Sequence, residues 1–310
     1  MSPMRRREFL ALAWRVGAVA ALGGHAQRLS RADEGTPGPK VWEIIRRPAE
    51  PEGYDDVETG QLLDAFLPVF SGTQGFPLDV LSGLFPEDSV VRIVAGSEGV
   101  MTRRVAAALT DRFREMGLPG ERLLAAAAAS APAGRAVAAA QPQGAPPLPK
   151  KPAHLRQGAE GANRIVSVLA PASDAGAPPV WEPFTAIART ATDWAPRTSR
   201  RRRSRAEDGV SAARLCADSA VLPKSGLHCA DLWELPTGAE RPGEAPWRAG
   251  TLVFSLDAVA LARVVQTMLT NARQAHGLAP AADPPALTEA ARLGLGEDRL
   301  NRIVWLKYGV

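Results

Sequence analysis

Asp231 and Asp257 are acids set inside largely apolar stretches, SGLHCADLWEL and LVFSLDAVALARVVQ. The second stretch reads as a strand that turns at Asp257 into a helix. A carboxylate at that junction has two uses. As an N-cap it accepts hydrogen bonds from orphan amides and complements the helix dipole. At the carboxyl end of a strand it stands where open α/β sheets bind ligands. Cap alone, or cap plus ligand contact, are both open at this point. Asp231 ends another strand. Brought to the same rim, the two carboxylates would hold a hard divalent cation or work as acid and base. If Asp257 is a cap only, its replacement by asparagine is nearly neutral, because Asn caps about as well.

The remaining reactive side chains are scattered. His25, His154, His228 and His276 form no H-x-H or H-E-x-x-H pair. His228 and Cys229 are neighbours on one strand and point to opposite faces. One of the two reaches a pocket, or His228 is a buried structural residue. No G-x-S-x-G elbow, G-x-G-x-x-G turn or phosphate-loop lysine is present. Cys216 and Cys229 make no C-x-x-C, so this chain's own cysteines hold no iron–sulfur cluster and no cysteine-ligated zinc. Outside a reducing compartment they could pair as a disulfide. No metal site and no catalytic residue is assigned, and the cofactor is unknown.

The elements that must position these residues alternate in type. SVVRIVAG, NRIVSVLAP, SGLHCADLWEL, TLVFSL and NRIVWLKYG read as strands. GQLLDAFLPVFSG, TRRVAAALTDRFREMG, PFTAIARTATDW, DAVALARVVQTMLTNARQAHG and PALTEAARLGLG read as helices, with Gly117 and Gly277 as stops. VWEII is a short strand or helical turn, and ERLLAAAA is a strand or a helix continuation. Such alternation predicts an α/β layered domain with a mixed, largely parallel sheet flanked by helices. Residues 27–310 read as one such domain. It carries a low-complexity excursion at 125–161, rich in alanine and proline, and a basic loop at 196–209.

The charge is uneven. Residues 1–26 carry a net +3 of the chain's +4, leaving +1 for the rest. Setting aside the six arginines between Arg197 and Arg205 leaves −5. The body is mildly acidic, and the arginine run lacks interleaved aromatics, so nucleic acid is not an expected partner. The N-terminal MRRREFLALAWRVGAVAALGGHAQ has a basic start, an apolar run of about 14 residues and small residues near Ala26, which is the pattern of a signal peptide over 1–26. Arg6-Arg7-Glu8-Phe9-Leu10 resembles a twin-arginine signal. The expected partner is then the twin-arginine export machinery. The expected location is the periplasm or cell envelope, with no membrane anchor once the signal is removed.

The closing sixty residues also carry a resemblance. AGTLVFSLDAVALARVVQTML, HGLAP and PPALTEAARLGLGEDRLNRI resemble the last segment of the family catalogued as domain of unknown function 362. That family shows Ser-x-Asp-Pro-Val-Ala-x-Asp, a helix, a Gly-Leu, a second helix and a Leu-Gly-x-Gly before a final strand. Ser255 and Asp257 match its Ser-x-Asp, and Asp231 falls on its matching upstream acid. The departures are also specific: Ala258 replaces the proline, Ala262 the second Asp, and Thr102-Arg103-Arg104 stands where Thr-His-Pro is usual. The resemblance implies a reduced polar site, with Asp231, Asp257, Ser255 and His228 as candidate ligand-binding residues. Its leading implication is an exported binding or accessory protein, or an inactive relative, with an envelope protein as possible partner. The alternative is a small exported enzyme or redox accessory using a divalent cation on Asp231 and Asp257.

Overall fold

Short runs rich in Val, Ile, Leu and Ala build the strands of the computed structural model, which describes residues 38–45, 53–71, 77–96, 99–126, 164–171, 181, 183–191, 205–218, 225–235 and 247–309. Strands β1 (Lys40–Ile45), β2 (Val91–Ala95), β3 (Leu123–Ala126), β4 (Arg164–Leu169), β5 (Ser225–Leu235), β6 (Trp247–Ser255) and β7 (Val304–Gly309) form one sheet in the order β3-β2-β4-β5-β6-β1-β7. The β2–β3, β2–β4, β4–β5 and β1–β7 pairs are parallel. Only β6 runs against both of its neighbours, β5 and β1. The fold is therefore the expected α/β layered architecture with a mixed, largely parallel sheet.

Helices cover both faces, as parallel strands require. On one face lie α1 (Asp56–Ser71), α2 (Pro77–Leu84) and α3 (Thr102–Glu115). Leu63, Phe66, Leu81, Leu109 and Phe113 pack there against Val166, Cys229, Leu252 and Phe254 of the strands. The other face is covered by α4 (Pro183–Ala191), α5 (Arg205–Asp218), α6 (Ala258–Ala275) and α7 (Pro285–Arg292). Ile187, Ala213, Leu261, Val265 and Leu287 pack there against Ile165, Ala230 and Val253. Helices α3 and α6 stop at Gly117 and Gly277, both at positive φ, where the following amides fold back on the last turn.

Several local readings are revised. VWEII is strand β1, and ERLLAAAA supplies strand β3 from Leu123 to Ala126, so residues 125 and 126 are strand and not part of an excursion. Helix α1 starts four residues before Gly60. Asp55 Oδ1 accepts the Glu58 amide at 2.7 Å while Glu58 Oε2 accepts the Asp55 amide at 3.2 Å, a reciprocal cap of the Asp-x-x-Glu kind. Helix α2 was not anticipated; Pro77 at its first position presets the backbone for a helix. Residues 205–209, read as the end of the basic loop, belong to the helix Arg205–Asp218. Gly209, Ala212, Ala213 and Cys216 share its buried face, so the glycine is a packing position and not a break. The signal segment with Arg6, Arg7, Phe9 and Leu10, most of the excursion and the arginine run to 204 lie outside the described residues. Among the described residues no helix is long and apolar enough to cross a membrane.

Candidate functional site

Asp231 lies just past the carboxyl end of β4, whose last residue, Leu169, pairs with Ala230. The sheet has a switch point here. Strand β2 sits between β3 and β4. The described helix following β2 covers one face, and those following β4 cover the other. Open α/β sheets bind ligands in the crevice such a divergence opens. Asp231 points into it on the α3 side and is 1% exposed. Its Oδ2 accepts the Met101 amide at 2.8 Å and the Thr102 hydroxyl at 2.9 Å, and its Oδ1 accepts the Trp233 amide at 3.0 Å. Met101, the residue that begins α3, offers no side-chain cap of its own. The carboxylate from β5 supplies it. Helix N-termini are natural anion sites, and the anion at this one belongs to the protein. Burial raises the Asp231 pKa, and the bonds from Trp233, Thr102 and Met101 oppose the rise without cancelling it. The same burial, with the Asp231 charge, pushes the Cys229 thiol well up.

Gly99 makes this approach possible. Its φ is +100°, and a Cβ there would meet Asp231 Oδ2, Thr102 Oγ1 and the Ala170 side chain. No L side chain adopts that backbone comfortably, so the β2–α3 turn can reach the carboxylate only through glycine.

Asp257 is a helix cap with an additional bond. Its Oδ1 accepts the Val259 amide at 2.8 Å and the Ala260 amide at 2.9 Å. Its Oδ2 accepts the Glu297 amide at 3.0 Å, which ties the segment after α7 to the start of α6. Gly296 passes so close that a side chain there would strike the carboxyl group. Burial raises the Asp257 pKa, against the three backbone bonds. This revises the expectation of a neutral asparagine. Asp257→Asn keeps the cap but turns an NH2 toward the Glu297 amide. The expected cost is about 1–2 kcal/mol, from one lost and one frustrated bond. Urea denaturation measures it, and an indistinguishable midpoint would show that the Glu297 bond does not form in solution.

The two acids do not meet. Strands β5 and β6 are antiparallel, and Asp231 stands opposite Leu252. Asp257 lies five residues further along, toward the amino end of β5, on the order of 15 Å away at strand rise. They occupy opposite rims of the sheet, so the expected shared cation site is not formed by this pair.

His228 and Ser255, by contrast, are direct cross-strand partners. Ser255 Oγ donates to the Lys40 carbonyl at 2.8 Å and accepts the Asp257 amide at 3.0 Å. His228 is fully buried on the α4–α7 face, where Nδ1 lies 2.7 Å from Ser167 Oγ. Burial alone pushes its pKa down to about 4. Ser167 escaped the sequence reading; its only signal is a lone hydroxyl in the apolar strand RIVSVL. Cys216 and Cys229 are both free thiols on opposite faces of the sheet, which rules out a disulfide between them. Among the described residues no three His, Cys, Asp or Glu side chains gather as a metal-ligand set. No family model matches the chain, and neither a curated protein nor a solved structure does so.

Proposed function

We propose that this chain is an exported binding or accessory protein of the type resembling unknown-function family 362, in which the positions of the family's polar site have become structural. One observation carries the reading. Asp231, Asp257 and Ser255 direct their hydrogen bonds mainly at this chain's own backbone: three amides and a hydroxyl at the α3 and α6 starts, the Glu297 amide after α7 and the Trp233 amide within β5 for the two acids, and the Lys40 carbonyl for Ser255. Three of the roughly four lone-pair sites of each carboxylate are committed in this way, which leaves each a single one for a ligand. The alternative, an enzyme with one divalent cation held jointly by Asp231 and Asp257, has less support, because the two acids stand on opposite rims. The test is calorimetric melting with and without millimolar magnesium, calcium and manganese. No cation is expected to move the wild-type midpoint. A cation-dependent rise that disappears in Asp257→Asn or Asp231→Asn would overturn the proposal in favour of the enzyme.

Export is the second half of the proposal and rests on the Arg6-Arg7-Glu8-Phe9-Leu10 motif. Changing Arg6 and Arg7 to lysine keeps the charge but removes the paired guanidinium groups. Precursor is expected to accumulate in the cytoplasm, read by fractionation and immunoblotting. Unaltered export would defeat the localisation.

A further inference from the structure

The α4–α7 face of the sheet carries one row of buried polar side chains across its centre. Ser167, His228 and Ser255 are register neighbours on β4, β5 and β6, between Val94 of β2 and Val41 of β1. All three polar residues are fully buried. Ser255 is satisfied by Lys40 and Asp257. His228 is not: Nδ1 has Ser167, and Nε2 is buried without a partner among the described residues. The tautomer follows from counting. The bond to His228 is the one that Ser167 makes. If the Ser167 hydroxyl donates to Nδ1, only the Nε2 hydrogen is left over. If Nδ1 donates to Ser167, both the hydroxyl hydrogen and the Nε2 lone pair are left over. The first arrangement is better satisfied, so the neutral ring presents an N–H with no acceptor.

We propose that His228 is an acid-operated release for this fold: uptake of one proton at His228 opens the α4–α7 layer away from the centre of the sheet. A second proton makes both ring nitrogens donors, reverses the Ser167 bond, orphans its hydroxyl hydrogen and buries a positive charge. Among the described residues no acid is in hydrogen-bond contact with His228. Asp257, at the start of α6, already accepts three backbone amides. Helix α6 itself begins three residues after Ser255 and brings the positive end of its dipole to this row. Glu43 of β1 shares the face one step along and lies 3.5 Å from Lys307 of β7. Arg92 of β2, on the same face, is a cation, and Cys216 of α5 is a thiol that burial holds protonated. Only water can solvate the imidazolium, and water enters only if the helices part from the strands.

The sign is fixed by the environment. Burial holds His228 down at about 4, against an ordinary 6.5. The closed form refuses a proton that the open form accepts. Closure is therefore at full strength above pH 6.5 and weakens as pH falls, by about 150-fold at pH 4 and toward a limit of about 300-fold below it. Asp257 and Glu43 are both raised by burial, so their contributions run the opposite way and cannot mimic the effect.

Hydrogen exchange of the full chain, read by mass spectrometry and corrected for intrinsic rates, tests this between pH 6.5 and 5. Peptides from α4, α5 and α6 are expected to open about 15-fold more often at pH 5 than at pH 6.5, and His228→Gln is expected to abolish that dependence. A flat wild-type profile, or an equal slope in His228→Gln, overturns the proposal. Should that variant fail to fold, imidazole NMR of the wild type decides: a His228 ring titrating near 6.5 in the closed protein overturns it, and one still neutral at pH 5 supports it.

Discussion

Asp231→Ala is expected to cost about 3–5 kcal/mol of unfolding free energy, the largest effect of any single change at the rim. The alanine leaves three donors without an acceptor: the Met101 amide, the Thr102 hydroxyl and the Trp233 amide. Each is worth about 1–3 kcal/mol when stranded in the interior. The first turn of α3 also loses the negative charge facing its dipole. Relief from burying a carboxylate offsets part of this, which keeps the total below the simple sum. The pH dependence has a definite sign. Asp231 has its pKa raised in the folded protein. Its contribution is therefore complete below the ordinary carboxylate range and declines as pH rises through the folded value. The gap between wild type and Asp231→Ala should be wider near pH 4 than at pH 7. Guanidinium unfolding at the two pH values measures both quantities. A gap under about 1 kcal/mol, or one that widens toward neutrality, would mean that Asp231 does not hold α3.

Gly99→Ala is expected to cost about 2–4 kcal/mol by a different route to the same place. One part is the backbone, at φ +100°, which costs an L residue about 1–3 kcal/mol. The other is the Cβ, which meets Asp231, Thr102 and Ala170 in a filled interior, where overpacking costs a further 1–3 kcal/mol or so. Two of the three atoms it strikes belong to the Asp231–Thr102 hydrogen bond. The substitutions are therefore coupled. In a double-mutant cycle, Gly99→Ala with Asp231→Ala should cost less than the sum by about 1 kcal/mol or more, since the alanine at 231 vacates the space. Additivity within about 0.5 kcal/mol would show that the turn and the carboxylate do not touch.

What could be read in advance tracks the range of the interaction. The Asp257 cap was legible because both of its first-turn donors lie within three residues. Its third donor lies 40 residues away, and nothing in LVFSLDAVALARVVQ points to it. The Asp55–Glu58 box is equally local, an Asp-x-x-Glu pattern directly ahead of the apolar face of α1. Asp231 was read as a strand-end acid, and its partners on α3 are about 130 positions upstream. The rim was misjudged for a topological reason. Alternating strands and helices suggest parallel strands, whose following loops gather at one edge. Strand β6 breaks that pattern by running antiparallel to β5, and this moves Asp257 to the far side. The clue was present in the Pro- and Gly-rich stretch PTGAERPGEAP between SGLHCADLWEL and TLVFSL, a connection without helical periodicity.

The position of β1 sets the order in which this protein can be completed. Its neighbours are β6 and β7, and the bond from Ser255 to Lys40 spans 215 positions. During synthesis the VWEII strand emerges early and waits, unpaired along both edges, until the closing segment has left the ribosome. At 5–20 residues per second that wait is about 10–40 s. Loop closure over such a span slows folding even when it costs little equilibrium stability. An apolar strand with two open edges is meanwhile a template for pairing with other chains. Losing β7 therefore does more than trim an edge: it leaves the apolar β1 as the new border of the sheet, open to pairing with another chain.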